Sequence, residues 1–157
     1  MKSSSKGFTL VELIVAVVIA SILARIGFVT YTSYILRANR AVARATLVNL
    51  AAKQEVQLMQ NGSYAATFQN LNGISGTSFS INQNGAINSA TDSSAIYLVS
   101  FSTIPTATSP QYAFTAQSSG SQLRDTACTA FILNSSGLRQ AQNSGGLVSD
   151  PTTCWEK

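Results

Sequence analysis

The sequence predicts an α+β fold in which one long amino-terminal helix packs on an antiparallel sheet of three or four strands. Between Phe8 and Gln60 there is no proline and only one glycine, Gly27. This favours a single helix of about 50 residues and about 80 Å. Asn61-Gly62 then supplies the usual helix terminator. Beyond it the composition changes to Ser, Asn, Gly and Thr, and short segments rich in β-branched and aromatic residues follow.

The two halves of the predicted helix differ in character. Residues 8–24 (FTLVELIVAVVIASILA) contain one ionisable side chain, Glu12, and are otherwise apolar on all sides, as a membrane helix or a filament core requires. The second half is amphipathic, and two rows at helical spacing predict the face that lies on the sheet. The rows are Val42, Ala45, Asn49, Ala52, Val56 and Met59, and beside them Leu47, Leu50 and Leu58. Arg37, Arg40 and Arg44 fall on another face.

The residues beyond the helix predict a connecting loop and then a sheet. Residues 61–94 contain one short alternating run, residues 78–82, which indicates a small helix or strand. Three strand-like segments follow, and Gly137–Gln142 is a candidate fourth. The three are residues 95–103 (AIYLVSFST), 111–117 (QYAFTAQ) and 128–134 (CTAFILN). Prolines and Ser/Gly-rich turns separate them, which is typical of an antiparallel meander.

The distribution of charge argues against a nucleic-acid-binding surface. The net charge is +4, but seven of the ten bases lie before residue 60. The globular part is therefore near neutral and lacks the clustered basic face that nucleic-acid binding requires. The charged residues after residue 60 are Arg124, Arg139 and Lys157, and Asp92, Asp125, Asp150 and Glu156.

Catalytic chemistry has no candidate residues. The chain has no histidine, which removes the commonest general base and metal ligand. Its two cysteines lie far apart, its acids are scattered singly, and it has no glycine-rich phosphate loop. The sequence therefore predicts a protein that is not an enzyme and that needs neither a metal nor a cofactor.

The first seven residues form a short polar leader, MKSSSKG, that ends in Gly7. A carboxylate in a membrane helix, here Glu12, costs roughly 2.5–3.5 kcal/mol on insertion scales. An ammonium group on Phe8, created by cutting the chain after Gly7, would offset that cost. An ordinary secretory signal and a plain membrane anchor are the competing interpretations. Glu12 and the lack of a clean Ala-x-Ala site argue against the secretory signal.

The motif GFTLVE, residues 7–12, resembles the class III signal of type IV prepilins. The resemblance extends over residues 6–64, including ANRAVARATLVNLAAKQE and NGSYA. It implies that a prepilin peptidase cuts between Gly7 and Phe8 and that Phe8 is then N-methylated. It also implies that Glu12 acts in assembly.

The resemblance further implies the type IV pilin fold and a division into three segments. These are a leader (1–7), a hydrophobic transmembrane and filament-core helix half (8–34) and a globular head (35–157). Cys128 and Cys154 are expected to form a disulfide, because the leader and apolar helix indicate an exported protein; two free thiols in a cytosolic protein are the alternative. In type IV pilins such a bridge closes the variable carboxyl-terminal region. The chain departs from many pilins at Arg25 and Val29, where those have a small apolar residue and a proline.

The function implied is that of a structural subunit of a type IV pilus, major or minor, with a particular likeness to PilE-like and ComP-like minor pilins. Such subunits serve adhesion, motility or DNA uptake. The implied partners are other pilin subunits, the prepilin peptidase and the inner-membrane assembly platform. The implied location is the inner membrane and then the extracellular pilus of a Gram-negative bacterium.

Two alternative functions stay open. One is a DNA-binding competence pilin, for which Arg124, Arg139 and Lys157 are the candidate contacts. The other is a pseudopilin of a type II secretion system, against which the late cysteine pair argues.

Overall fold

The computed structural model describes residues 7–156, and of Val29 it describes the backbone alone. The chain divides into two compact units, one reaching to Ile35 and the other starting at Leu36. The first helix, α1 (Leu10–Asn61), begins in the first unit and ends in the second. Gly62 follows it with a φ of 71°, the left-handed conformation that ends many helices. The predicted long helix and its predicted end are confirmed.

The second unit contains one antiparallel sheet of seven strands. Strand β2 lies at one edge, β1 is next to it, and β3 to β7 follow in chain order. The strands are β1 (Ser78–Ile81), β2 (Ile87–Asn88), β3 (Tyr97–Thr103), β4 (Ala113–Ser118), β5 (Ala130–Asn134), β6 (Arg139–Asn143) and β7 (Gly146–Leu147). The three segments expected to be strands and the candidate fourth are β3 to β6, which are consecutive neighbours in the sheet.

The three additional strands extend this meander at its edges. β1 is the alternating run in the region expected to be mostly loop. β2 and β7 have two residues each, which is too short for any periodic signal in the sequence. Three short helices complete the unit, and they are α2 (Gln69–Asn72), a 3-10 helix (Gly120–Arg124) and α3 (Thr152–Trp155).

The face of α1 that enters the core differs from the predicted one. Its buried residues, about one per turn, are Asn39, Ala43, Leu47, Leu50 and Gln54. The first predicted row is wrong, because most of its residues are exposed, and Met59 is exposed by 78%. Leu47 and Leu50, from the adjoining row, are placed correctly.

Two amides explain why hydrophobicity alone selected the wrong face. The Gln54 side chain donates to the carbonyl oxygen of Ala65 at 2.9 Å and accepts from the Ala65 amide at 2.8 Å. Both polar ends of the amide are therefore satisfied, so glutamine can occupy a core position. Asn39, at the start of the head half of α1, is a second buried amide, and its nitrogen donates to Oε1 of Gln122 at 2.9 Å.

The predicted fold class is confirmed. The core joins α1 to the sheet through one cluster that includes Leu47 and Leu50 from the helix. At its centre Phe68 contacts three aromatic rings, with centroids 4.6–5.8 Å away. These rings are Phe79, Phe101 and Phe114. The carboxyl-terminal region is closed on the sheet by a disulfide, described below.

Candidate functional site

The predicted processing site lies just before the first turn of α1. Gly7, Phe8 and Thr9 are outside the helix, and the Phe8 side chain is 88% exposed. The Thr9 amide and the Thr9 hydroxyl each donate to Oε2 of Glu12 at 3.0 Å. The Glu12 amide in turn approaches the Thr9 hydroxyl oxygen at 3.3 Å. This reciprocal arrangement is a capping box, and it fixes the start of the helix at Leu10.

Thr9 is therefore the capping residue of α1, which the charge argument for Glu12 did not identify. The signal was present in the sequence, since Thr-x-x-Glu before an apolar run is the signature of a capping box. Both hydrogen bonds from Thr9 reach Oε2, so Oε1 of Glu12 stays accessible to a cation from another chain. The six residues before Gly7, with Lys2 and Lys6, lie outside the described residues.

The described part of the chain contains one helix that is long and apolar enough to cross a membrane, judged by length and composition. It is α1, in which the most apolar window has a mean hydropathy of 2.5. The large apolar side chains from Leu10 to Phe28 are more than half exposed. A run of exposed apolar side chains this long requires lipid or other protein around it. Arg25 lies on this exposed helix as well.

The carboxyl end is fastened to the sheet by the disulfide between Cys128 and Cys154. Both cysteines are buried, with 1% exposure each. The Trp155 indole packs edge-on against Phe131, with ring centroids 5.7 Å apart, and donates to the carbonyl oxygen of Gln140 at 2.8 Å. Arg44 of α1 donates to the carbonyl oxygen of Trp155. Sheet, helix and tail therefore meet at Trp155.

A buried polar network joins α1 to the segment before Cys128. Asp125 is 2% exposed and receives two hydrogen bonds of 2.7 Å from the guanidinium of Arg40. The Gln122 side chain donates to the same carboxylate at 3.0 Å, and the Cys128 amide donates to it at 3.2 Å. With four donors, the buried charge is paired and hydrogen-bonded, as burial requires. Arg40, which was expected on a face of α1 other than the one that lies on the sheet, therefore reaches into the head.

Arg44 contradicts the same expectation, because it too turns toward the head. Burial lowers the pKa of Arg44 the most, and repulsion from the nearby charge of Arg40 lowers it further. The phenol of Tyr97 lies in this region and is fully buried. Burial first, and then the charge of Asp125, raise the pKa of Tyr97.

The candidate DNA contacts do not form one compact site in the described structure. Arg124 lies in the 3-10 helix, where its Nε donates to the Ser121 carbonyl oxygen at 3.3 Å. Arg139 begins β6, with its guanidinium carbon 5.4 Å from the centre of the Trp155 ring. Both side chains are exposed, and no hydrogen bond or ion pair joins them within residues 7–156. Lys157 lies outside the described residues.

Metal-binding geometry is not found among the described residues, where no three His, Cys, Asp or Glu side chains converge. Asp92 instead accepts hydrogen bonds from its neighbour Ser94, and these lower the pKa of Asp92.

Comparisons with known proteins give two family matches. Residues 30–132 match the family described as "Type IV minor pilin ComP, DNA uptake sequence receptor". Residues 2–24 match the prokaryotic N-terminal methylation motif, which includes the predicted cleavage site. No curated protein matches the chain.

Among solved structures, the chain is similar to a type IV pilin from Shewanella oneidensis. The two share 19% identity at a TM-score of 0.39, and the match covers 65% of this chain and 89% of that one. The family assignment comes from the match over residues 30–132, which is more than half of the sequence. The chain therefore belongs to the type IV minor pilin ComP family.

Proposed function

We propose that this chain is a minor, non-catalytic subunit of a type IV pilus, anchored in the inner membrane by residues 8–34 until it joins the filament. The observation that carries the proposal is the combination of two features in one chain. The minor-pilin match covers most of the head, and the methylation motif coincides with an exposed, membrane-length apolar helix. The match to a pilin family also favours a pilus over a secretion pseudopilus.

Processing is proposed at the Gly7–Phe8 bond. The bond precedes α1, so a peptidase meets non-helical backbone there. Gly7 has no Cβ to obstruct close approach, and among the described residues, its chain neighbour Phe8 aside, no atom lies within 4 Å of the place where a Cβ would stand. Cleavage leaves an ammonium group on Phe8, which is the proposed substrate of N-methylation.

Assembly is proposed to use Glu12. In a mature subunit the carboxylate is the fifth residue, and Oε1 is open to the Phe8 ammonium of a neighbouring subunit. Such a pair in a low-dielectric filament core is far stronger than the same pair in water. Thr9 holds the carboxylate at the start of the helix and thereby orients it for this contact.

The experiment is to compare Glu12→Val and Glu12→Gln with the wild-type chain in a piliated strain that lacks the native gene. We expect both variants to be cleaved and membrane-bound but absent from sheared filaments. Thr9→Ser, which keeps the hydroxyl, is the matched control and should enter filaments normally. Entry of Glu12→Val into filaments at the wild-type level would show that the proposed role is wrong.

A second candidate function, DNA binding, is favoured by the description of the matching family as a DNA uptake sequence receptor. The candidate contacts are Arg124, Arg139 and Lys157. Against this function, phosphate binding usually needs more cations than these three candidates supply. Duplex DNA binding by the detergent-solubilised mature chain, measured over a range of salt concentrations, tests it. The slope of the logarithm of the binding constant against the logarithm of the salt concentration should become smaller in magnitude by about one in each of Arg124→Gln and Arg139→Gln if these residues contact phosphates. No measurable binding by the wild-type chain would contradict this function.

A further inference from the structure

The face of the sheet that points away from the core carries a row of neutral side chains. Successive side chains of a strand point to opposite faces, and Phe114 and Phe131 are buried in the core. Thr115 and Ile132, which follow them, therefore point outward. Thr115 lies opposite Ile132, and Ile132 lies opposite Gln140 in the sheet register. All three are half-buried, so the row crosses β4, β5 and β6 without being fully open to solvent.

A cavity of about 470 Å³, here called the sheet pocket, lies at one end of this face. Residues of β3, β4, β5 and β6 line it, together with residues of the β3–β4 and β5–β6 connections. The register of β3 with β4 shifts between Phe101 and Thr103, and irregularities of this kind redirect side chains. Ser102 and Thr103 both line the pocket at that point. The volume is within the range of about 300–1,000 Å³ that is typical of pockets for small ligands.

The sheet pocket and its surroundings are uncharged. None of the described residues that line it carries a charge, and neither do the connecting segments 104–112 and 135–138. Strands β3 to β6 contain one charged residue, Arg139, which shares the inward face with Ala141. Its guanidinium lies 5.4 Å from the ring centre of Trp155, which belongs to the core. A phosphate or carboxylate in the pocket would therefore find no counter-charge.

Several polar groups of the sheet pocket have no partner within the part of the chain that the structure describes. The side chains of Ser102, Thr103, Gln111 and Gln140 make no hydrogen bond to another residue between 7 and 156. Each hydroxyl and each amide can both donate and accept. Ile132 adds an apolar surface among them. The pocket therefore offers mixed donors and acceptors around an apolar patch.

We propose that the sheet pocket binds a neutral saccharide of one or two sugar units. A sugar hydroxyl donates and accepts at once, as the serine, threonine and glutamine side chains of the pocket do. The C–H groups of a sugar ring can lie on the Ile132 side chain. The volume and the absence of charge both fit such a ligand.

The chemistry of the sheet pocket fits a saccharide better than a protein or DNA. The centres of protein interfaces are enriched in aromatic residues, methionine and arginine. The one aromatic residue in the lining, Tyr112, is almost fully buried, and its hydroxyl donates to Glu55 at 3.4 Å. DNA binding depends on cations, which this face lacks.

The test is a titration of the full mature chain, isotope-labelled for nuclear magnetic resonance, with three neutral disaccharides. The chain is held in micelles of lauryldimethylamine oxide, a detergent that has no sugar headgroup. The disaccharides are lactose, maltose and N,N′-diacetylchitobiose. We expect at least one of them to shift the backbone amide signals of Gln111 and Gln140 in a saturable manner.

The variants compare two glutamines of the same strand and the same face. Gln140→Leu removes an amide that lines the pocket, and Gln142→Leu removes one that lies two residues further along β6 and outside the lining. Gln140→Leu should weaken binding about tenfold, as expected for a lost hydrogen bond, and Gln142→Leu should leave the affinity unchanged. Gln111→Leu, in the connection before β4, should weaken binding to a similar degree and provides a second test in a different part of the fold.

Two results would overturn the proposal. One is the absence of a saturable shift with all three disaccharides. The other is a binding curve that is the same for the wild-type chain, Gln140→Leu and Gln111→Leu. If unlabelled chain or duplex DNA shifts the amides of Gln111 and Gln140 and the disaccharides do not, the face is a protein or DNA surface and the saccharide proposal is wrong.

Discussion

Arg40 and Asp125 lie 85 residues apart in the sequence and form a bidentate ion pair, with both N–O distances at 2.7 Å. The carboxylate is almost fully buried, and the guanidinium is largely so. The pair joins α1 to the segment that leads into Cys128, where the disulfide begins. One contact thereby connects α1 to the closed carboxyl end of the head.

Removal of one partner of this pair should be strongly destabilising. Arg40→Leu leaves a buried carboxylate without its main counter-charge, which typically costs about 3–5 kcal/mol. We expect a lower free energy of unfolding for Arg40→Leu when the solubilised chain is unfolded in urea and monitored by Trp155 fluorescence. Lys53→Leu, a partly exposed position on the same helix, should stay within about 0.5 kcal/mol of wild type. A loss of less than about 1 kcal/mol in Arg40→Leu would mean that the pair contributes little to the head.

The sequence predicted elements that depend on local pattern and missed those that depend on partners. The apolar run, the absence of proline and the Asn61-Gly62 terminator are local, and they placed α1 correctly. The side of α1 that is buried depends on Gln54 meeting the Ala65 backbone and on Asn39 meeting Gln122. A hydrophobic pattern assigns amides to the surface, so it favoured Val56 and Met59 instead.

The candidate site shows the same division. Glu12 stood out because one acid in an apolar run is a local anomaly, and the paired cysteines stood out by their number. Arg40 and Asp125 looked like ordinary solvated charges, because their partners come from distant parts of the chain. The edge strand β7 has two residues, and pairing with Gln142 and Asn143 defines it rather than its own composition.

Replacement of Tyr97 by phenylalanine should stabilise the head. The hydroxyl is buried beside the Gln122 side chain, and among the described residues none of its contacts meets full hydrogen-bond geometry. An unsatisfied buried hydroxyl costs about 1–3 kcal/mol, so Tyr97→Phe should gain on the order of 1 kcal/mol in urea unfolding. A less stable variant would show that the hydroxyl is satisfied.

The stability of Tyr97→Phe should depend less on alkaline pH than the stability of the wild-type chain. Burial raises the pKa of Tyr97 in the folded state, so the phenol ionises more readily in the unfolded chain. Its contribution to stability is complete below pH about 10 and is lost as pH rises above that value. Unfolding free energy measured against pH should fall less steeply for Tyr97→Phe. Some alkaline sensitivity should remain, because burial also raises the pKa of Tyr112. Identical slopes for the two proteins would contradict this account.

Loss of the disulfide should loosen the tail and spare the helix. Cys128→Ser should lower the stability of the head by about 2–5 kcal/mol, because the apolar contacts of the described tail from Asn143 onward come from few residues, Val148, Cys154 and Trp155, and the bridge holds them on the sheet. Limited proteolysis should then cut the tail before it cuts α1. Ser135→Ala, at a half-buried position in the turn between β5 and β6, is the control. A tail in Cys128→Ser that resists protease as well as wild type would show that the bridge is not what holds it.

Substitution at the cleavage site should block maturation. Gly7→Val adds a branched side chain where the peptidase must approach the backbone. Intact-mass measurement of the membrane fraction should show a species that still carries MKSSSKG. Ser5→Ala, within the leader but away from the bond, should mature normally. A mature terminus at Phe8 in Gly7→Val would place the cleavage site elsewhere.

The central claim is that this chain is a subunit of a pilus, and immunogold electron microscopy with antibodies against the head tests it most directly. In a strain that expresses the wild-type chain, we expect gold on the filaments, sparse or confined to their ends, as a minor subunit requires. Glu12→Val should keep its membrane label and lose its filament label. Dense label along whole filaments would make the chain a major subunit. Filaments without label in the wild-type strain, with the protein confined to the membrane, would contradict the claim.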